Sequence, residues 1–476
     1  MADSPIPRPF GLDQESPEET TYPYSRPNEV LAERVSRNGH SRGAAARTLR
    51  RVHKQARRSA WGALRHRDFR LYFTGSLFSN LGTWFQNTAQ VLLAYQLTHS
   101  VFAVGVVTSA QFSSSLLLGP WAAVAASRIG GRRLLVAMQL FSAVVATAMA
   151  ALEAAGKLGE RPLVAGAFLL GLAFTFALPV QTALIPALVD ESETEAAMAM
   201  NSVSYNAGRA LAPALCVVVI LAMGFTWVFA LNAISFVVFG ITLATTHPRR
   251  FSHPPRPARA RDGLSVALIR PQIALLLAMV AAVTFADDPV LTLGPALAHH
   301  VLGVSHDWAG YFISALGMGT ILGAFRPTAF QRKLSSTKRA AWPLLLLAGA
   351  IVVFTLGISL WISLLAAFTA GVAALWTGAV TQTQLVKHSP EKAASVMALW
   401  AIAWAGTKPL ASLADGWLAG QLGVLPAATV LITPALIVAC LAIGVRGPSE
   451  EAIKGWIRTK GSRLQERLDL SPSESD

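Results

Sequence analysis

Four charged residues stand apart in long apolar surroundings: Arg209, Asp287, Asp288 and Lys408. An ion at membrane depth costs about 2.5–3.5 kcal/mol on insertion scales, so such a residue is kept for a partner, a ligand or a proton. Arg209 suits two roles, a structural partner for a carboxylate or a direct contact to substrate. Lys408 can reach into a cavity or snorkel toward an interface. Asp287 and Asp288 are adjacent, and neighbours on a helix point about 100° apart, so one of them is expected to face a cavity. Burial disfavours the charged form of a carboxyl group, which makes that aspartate the candidate for proton coupling. Capping of a helix end is the competing role, because Pro289 cannot donate a backbone hydrogen bond and must break the helix there. Broken helices commonly line the binding sites of transporters.

Uncharged polar residues form a second set. Asn80, Thr83, Asn87 and Gln90 are spaced 3, 4 and 3 apart and so share one helix side. On a helix otherwise rich in Leu, Phe and Val, this stripe is expected to face a wet cavity in preference to another helix. Thr377, Thr381 and Gln384 form a weaker stripe, and Gln181 adds an isolated amide. Trp84, Phe85, Trp376, Trp400 and Trp404 can stack on a substrate, although most large aromatics in such helices only pack. His299, His300 and His306 fall close together, and solvated histidines are a better reading than a metal site. Glu153 and Asp415 fall at span ends and read as interfacial. Without a glycine–lysine phosphate loop or any enzyme signature, neither catalysis nor a cofactor is expected.

These residues are positioned by about twelve apolar stretches. They run roughly over 71–95, 102–126, 134–153, 162–187, 197–222, 225–246, 271–297, 308–325, 341–360, 361–386, 393–417 and 425–445. A helix rises ~1.5 Å per residue, so about 20 apolar residues cross a bilayer. Hydrophobic residues make up 53% and charged residues 14% of the chain, against about 25% charged in soluble domains. Cys216 and Cys440 lie in spans without Cys or His neighbours and read as packing residues.

Basic residues orient the spans. Of 40 Lys and Arg residues, 36 fall before span 1, after span 12, or in the connections after spans 2, 6, 8 and 10, while the acidic connection after span 4 gives no vote. Only Lys157 and Arg161 lie in a connection on the other side, and the last two are Arg209 and Lys408. The positive-inside rule then predicts both termini in the cytoplasm and a plasma-membrane, multi-pass protein. The net charge of +14 is explained by orientation and by anionic lipid headgroups, so no nucleic-acid partner is expected. Residues 1–60 are a Pro-, Glu- and Ser-rich tail that ends in a basic stretch, 42–58, suited to a helix on the inner leaflet or to a solvated anchor. Residues 447–476 form a second tail with a short amphipathic stretch.

The chain also reads as duplicated. SVFAVG from Ser100 is echoed by SHDWAG from Ser305, and AGRALA from Ala207 by AGTKPLA from Ala405. The expected fold is therefore all-α and integral to the membrane, with twelve transmembrane helices in two pseudo-repeated six-helix bundles. The bundles span 61–246 and 271–446, joined by a Pro-rich cytoplasmic linker, 247–270.

Longer motifs carry a resemblance. SNLGTWFQNTAQVLLAYQLTHSVFAVGVV (79–107), ALIPALVD (183–190), AMNSVSYNAGRALAPAL (199–215) and GPALAHHVLGVSHDWAGYFISALGMGTILGA (294–324) resemble the major facilitator superfamily. Within it the chain is similar to the enterobactin-exporter-like branch of transmembrane secretion effectors. The likeness covers roughly 60–445 and implies alternating access around a central cavity. In the superfamily the connection after span 2 carries Gly, three residues, Asp-Arg and a basic cluster that latches the cytoplasmic gate. Here AVAASRIGGRR puts Ala123 and Ser127 in place of that Gly and Asp, while Arg128, Arg132 and Arg133 remain, so the latch is expected to be weaker. Ala212-Pro213 likewise stands where these exporters have Gly-Pro.

The combined expectation is a monomeric secondary active transporter that exports an amphipathic small molecule in exchange for protons. Its substrate cavity would be lined by Asn80, Thr83, Asn87, Gln90, Gln181, Arg209, Thr381, Gln384 and Lys408. A nutrient or peptide importer of the same fold is the first alternative. A membrane sensor that transports nothing is the second.

Overall fold

A computed structural model describes residues 62–248, 260–324, 336–389 and 392–444. The basic stretch 42–58, the centre of the linker and the C-terminal tail lie outside the described residues. The principal helices are α1 (Arg67–Thr98), α2 (Val101–Ile129), α3 (Gly131–Ala154), α4 (Glu160–Leu184), α5 (Thr194–Met223) and α6 (Phe225–Thr245). They continue with α7 (Pro271–Asp287), α8 (Trp308–Gly323), α9 (Ser336–Leu356), α10 (Leu360–His388), α11 (Lys408–Leu422) and α12 (Val424–Gly444). No strand occurs among the described residues.

Ten of the described segments are long and apolar enough to cross a membrane, and α8 is a shorter apolar helix. α1 has the length, at 32 residues, but its polar stripe lowers its mean hydropathy. Large apolar side chains such as Leu221 and Trp361 stand 70% and 74% exposed, which suits a surface facing lipid rather than water.

Local chemistry sets the helix ends. Ser100 and Ser359 each cap a helix, their hydroxyls accepting from the backbone N–H of Ala103 and Ile362. Gly224 joins α5 to α6 and Gly423 joins α11 to α12, at φ 85° and 88°. A side chain is strained in that region, so glycine permits a one-residue turn at the matching place in each half.

The helix contacts repeat with six added to each number. α2 packs on α4 as α8 packs on α10; α3 packs on α6 as α9 packs on α12; α1 packs on α6 as α7 packs on α12. The halves meet through α2 against α11 and α5 against α8. Small residues permit this approach: a Cβ at Gly105 would collide with the Ser412 carbonyl, and one at Gly416 would stand 2.8 Å from the Phe102 backbone. Both contacts lie at the end of the bundle opposite the basic α2–α3 connection. The Gly319/Gly323 pair brings α8 onto α10, against Phe368 and Val372.

Two expected spans are discontinuous. The stretch from Pro271 stops at Asp287 and resumes in short turns, Pro289–Thr292 and Gly294–Ala296, before a widened turn at Leu297–Val301. The stretch 393–417 begins as Ala393–Ala401, widens at Ile402–Gly406, and resumes as α11 at Lys408, followed by Pro409. Each break brackets charged residues.

Packing of α10 on α8 gives a direct test. A Cβ at Gly371 would overlap the Leu316 carbonyl. Gly371→Val is expected to destabilise the protein by about 1–3 kcal/mol, seen as a lower thermal midpoint in detergent; an unchanged midpoint would argue against this contact.

Candidate functional site

Three prolines prepare the backbone for the charges. Pro213 lies four residues after Arg209, so the Arg209 carbonyl loses its helical donor. That carbonyl faces Gly317 of α8, where a Cβ would stand only 2.5 Å away. Pro289 follows Asp288, and Pro409 follows Lys408, at the two helix breaks.

The side chains then form one chain of ion pairs across the halves. Arg209 Nη2 lies 3.7 Å from Asp287 Oδ2, and Asp287 Oδ1 lies 3.2 Å from Lys408 Nζ. Lys408 Nζ lies 2.8 Å from Asp288 Oδ1, and Asp288 Oδ2 accepts from Thr292 Oγ1 at 2.7 Å. The Arg209 guanidinium also sits 5.8 Å from the centre of the Trp84 ring, within cation–π range. Arg209 belongs to α5 and Asp287 to α7, so this pair ties the first half to the second.

The geometry differs from the sequence expectation in three respects. Both aspartates reach Lys408 although neighbours on a helix point about 100° apart; Asp288 keeps helical dihedrals, at φ −62° and ψ −37°, and the long Lys408 side chain spans both. Lys408 does not snorkel, since its side chain is 12% exposed and its amine lies inside the cluster. Asp415, expected at an interface, is fully buried. It sits seven residues after Lys408, two helical turns along the same face of α11, and its carboxyl neighbours that of Asp288.

A separate polar cavity lies within the first half. Asn80, Thr83 and Asn87 line it from α1, Gln111 from α2, Gln139 from α3, Gln181 from α4, Tyr205 from α5 and Asn232 from α6. Its lining carries no Asp, Glu, Lys or Arg. The amides pair with one another or with hydroxyls: Gln111 Nε2 donates to Asn87 at 2.7 Å, Asn80 Nδ2 donates to Ser204 at 3.0 Å, and Asn232 donates to Gln86. Trp84 lines this cavity and also faces Arg209, so it forms the wall between the amides and the ions.

Other expected cavity residues lie elsewhere. Gln90 is buried with its amide against Met149; Gln86 one turn earlier also touches Met149 but reaches the cavity edge, where it accepts from Asn232. Thr381 is buried and donates to its own helix at Thr377 and Gly378. Gln384 is buried on α10, away from the amide cavity; its carbonyl meets the His388 ring. Sequence reasoning missed Gln111, Gln139 and Asn232, each an isolated amide in an apolar span with no stripe to reveal it.

The expected gate residues sit at the basic end. Ser127 and Arg128 lie in the last turn of α2. Arg132 donates to the Leu243 carbonyl at 3.0 Å and to that of Ala244, closing the end of α6, whereas Arg133 is exposed. Arg132 thus acts within one half. His299 and His300 are in ring contact, and His306 lies 3.5 Å from Asp307. A second cluster, His66 with Asp190 and Glu193, joins the start of α1 to the α4–α5 connection, with His66 Nε2 2.6 Å from Glu193.

An all-helical membrane body with buried ions between pseudo-repeated halves defines a membrane transporter, and comparison with known proteins agrees. Residues 58–466 match the family described as transmembrane secretion effector. The chain belongs to that family of the major facilitator superfamily, whose members are transporters and not enzymes. Similar solved structures include the nucleoside transporter NupG, at TM-score 0.63 and 11% identity, covering 79% of this chain and 98% of that one. The POT family transporter PepTSo aligns at 0.65 and 13%, covering 79% and 97%. A bacterial homologue of the human lysosomal transporter Spinster, in an inward-facing and occupied conformation, aligns at 0.61 and 14%, covering 79% and 96%. No curated protein sequence matches.

The ion chain yields a double-mutant test. Asp287→Asn leaves Arg209 buried without its carboxylate and is expected to cost stability. In the double variant with Arg209→Gln, part of that loss should return, giving a coupling of about 0.5–3 kcal/mol. Strictly additive shifts in thermal midpoint would show that the two side chains do not interact.

Proposed function

We propose that this transporter exports an amphipathic small molecule, such as a siderophore, secondary metabolite or drug, in exchange for protons. The observation that carries the reading is the ion chain Arg209–Asp287–Lys408–Asp288, because it joins the two halves through groups whose charge a proton can change. A proton gained or lost at a carboxyl group changes the charge balance of the cluster where the halves meet. In a dry interior such attractions are strong, and one proton is enough to change their balance.

The amide cavity is the proposed substrate site. Amides both donate and accept, so Asn80, Asn87, Gln111 and Gln181 can exchange their mutual hydrogen bonds for bonds to a polar ligand, while Trp84 offers a stacking face. Substrate would occupy the first half and protons the second, with Trp84 and Arg209 between them. On this reading the chain has twelve transmembrane helices in bundles 61–246 and 271–446. It acts as a monomer in the plasma membrane, with both termini and the basic connections against cytoplasmic anionic lipid. Arg128, Arg132 and Arg133 then belong to the cytoplasmic gate, beside Ser127.

Transport into inverted membrane vesicles tests the proposal. A panel of lipophilic dyes and siderophores should accumulate when a proton gradient is imposed and stop when it is collapsed. Asp288→Asn should abolish gradient-driven uptake, about 100-fold or more if the carboxyl group is the coupling group, while leaving substrate binding in place. Accumulation that ignores the gradient would sink the coupling, and accumulation only in right-side-out vesicles would make the protein an importer.

A further inference from the structure

The four members of the ion chain balance in charge, and a fifth titratable group stands beside them. Arg209 and Lys408 supply two positive charges, and Asp287, Asp288 and Asp415 supply three carboxyl groups. Asp287 touches both cations, and Asp288 touches Lys408 and accepts from Thr292. Asp415 has no ion pair with any described residue, is fully buried, and neither of its oxygens accepts a hydrogen bond. An isolated buried carboxylate costs several kcal/mol, and a carboxyl group so placed is neutral instead.

Its neighbour is the carboxylate of Asp288. Asp288 Oδ1 receives no hydrogen bond, since Lys408 Nζ approaches at 2.8 Å outside hydrogen-bond geometry. A carboxylate at Asp415 would repel it, whereas a carboxylic acid can donate its O–H to it. Two carboxyl groups in contact hold one proton between them for the same reason. The charged and titratable groups facing the pair are Lys408, Asp287 and, farther off, Arg209. The elements packed on α11 are α2 near Val101–Ser109, α7, the turn Pro289–Thr292, the segment Ile402–Gly406 and α12. The one Asp, Glu, His, Lys or Arg these stretches carry is Asp287, at the end of α7.

Asp415 also lies where the halves close. The next residue, Gly416, packs against Val101 and Phe102 of α2, and Ser109 Oγ donates to the Pro409 carbonyl at 3.0 Å. Separation of α2 from α11 would therefore bring water to a group that is now dry.

Building on the proton-coupled reading above, we propose that Asp415 carries the exchangeable proton of this transporter, donated to Asp288 while α2 covers α11. When the contact opens, the Asp415 O–H bond breaks, the proton passes to water, and Lys408 is left to neutralise the new carboxylate. Closure needs a proton to return to the pair. Asp287 keeps its separate duty, bridging Arg209 and Lys408.

Infrared spectroscopy of the full chain in lipid vesicles tests this without knowledge of the substrate. Near neutral pH the wild type should show the carbonyl stretch of a buried carboxylic acid, shifted in heavy water. Asp415→Asn should remove that band, Asp287→Asn should leave it, and Asp415→Glu should restore it at a displaced frequency. The band persisting in Asp415→Asn, or absent from a folded Asp415→Glu, overturns the assignment. The reading needs neither gradient nor cargo. A band that behaves as described in a protein showing no proton-driven flux would defeat the exporter reading and leave the proton's location standing.

Discussion

Charge buried in a low-dielectric interior must be neutralised, and the centre of this transporter is organised by that requirement. Arg209 and Lys408 would each be too costly alone at membrane depth. They are tolerated because Asp287 lies between them, at 3.7 and 3.2 Å, and Asp288 lies 2.8 Å from the lysine. Because Arg209 and Asp287 come from different halves, satisfying the electrostatics also fixes how the halves meet. The close backbone contacts at Gly105, Gly317 and Gly416 follow from this arrangement, since a side chain at any of them would hold the halves apart.

The backbone is shaped to serve the same centre. The long Lys408 side chain reaches both Asp287 and Asp288. Pro289 and Pro409 interrupt their helices at the charged residues, and Pro213 frees the Arg209 carbonyl at the α5–α8 contact. The repeat of helix contacts is therefore accompanied by a division of chemistry. The first half holds an uncharged, amide-lined cavity, and the second holds three of the cluster's carboxyl groups and one of its cations. Such a division lets ligand recognition and proton binding be tuned apart while Trp84 and Arg209 remain common to both.

Much of this was legible in the sequence, and the exceptions have physical causes. Isolated charges in apolar spans are conspicuous, so Arg209, Asp287, Asp288 and Lys408 could be singled out, and Asp-Pro gave the break in the seventh apolar stretch. A span ending near 417 places Asp415 at a surface, whereas α11 runs to Leu422 and carries it a further turn inside. The spacing on α1 does not separate cavity from packing: Asn80, Thr83 and Asn87 face the cavity, but Gln90 turns toward Met149. The amides of α2, α3 and α6 left no pattern, since one Gln or Asn per helix has no periodicity. Only tertiary packing gathers them.

The account turns on whether the α2–α11 contact opens with the loss of a proton. Distances across that end can be read by pulsed electron resonance between spin labels at Leu97→Cys and Leu422→Cys, both exposed positions, in a background with Cys440→Ser. At acidic pH a single short distance is expected, and at alkaline pH a second, longer population should appear that Asp415→Asn suppresses. A distance distribution that is the same at both pH values in the wild type would contradict the coupling of proton to closure.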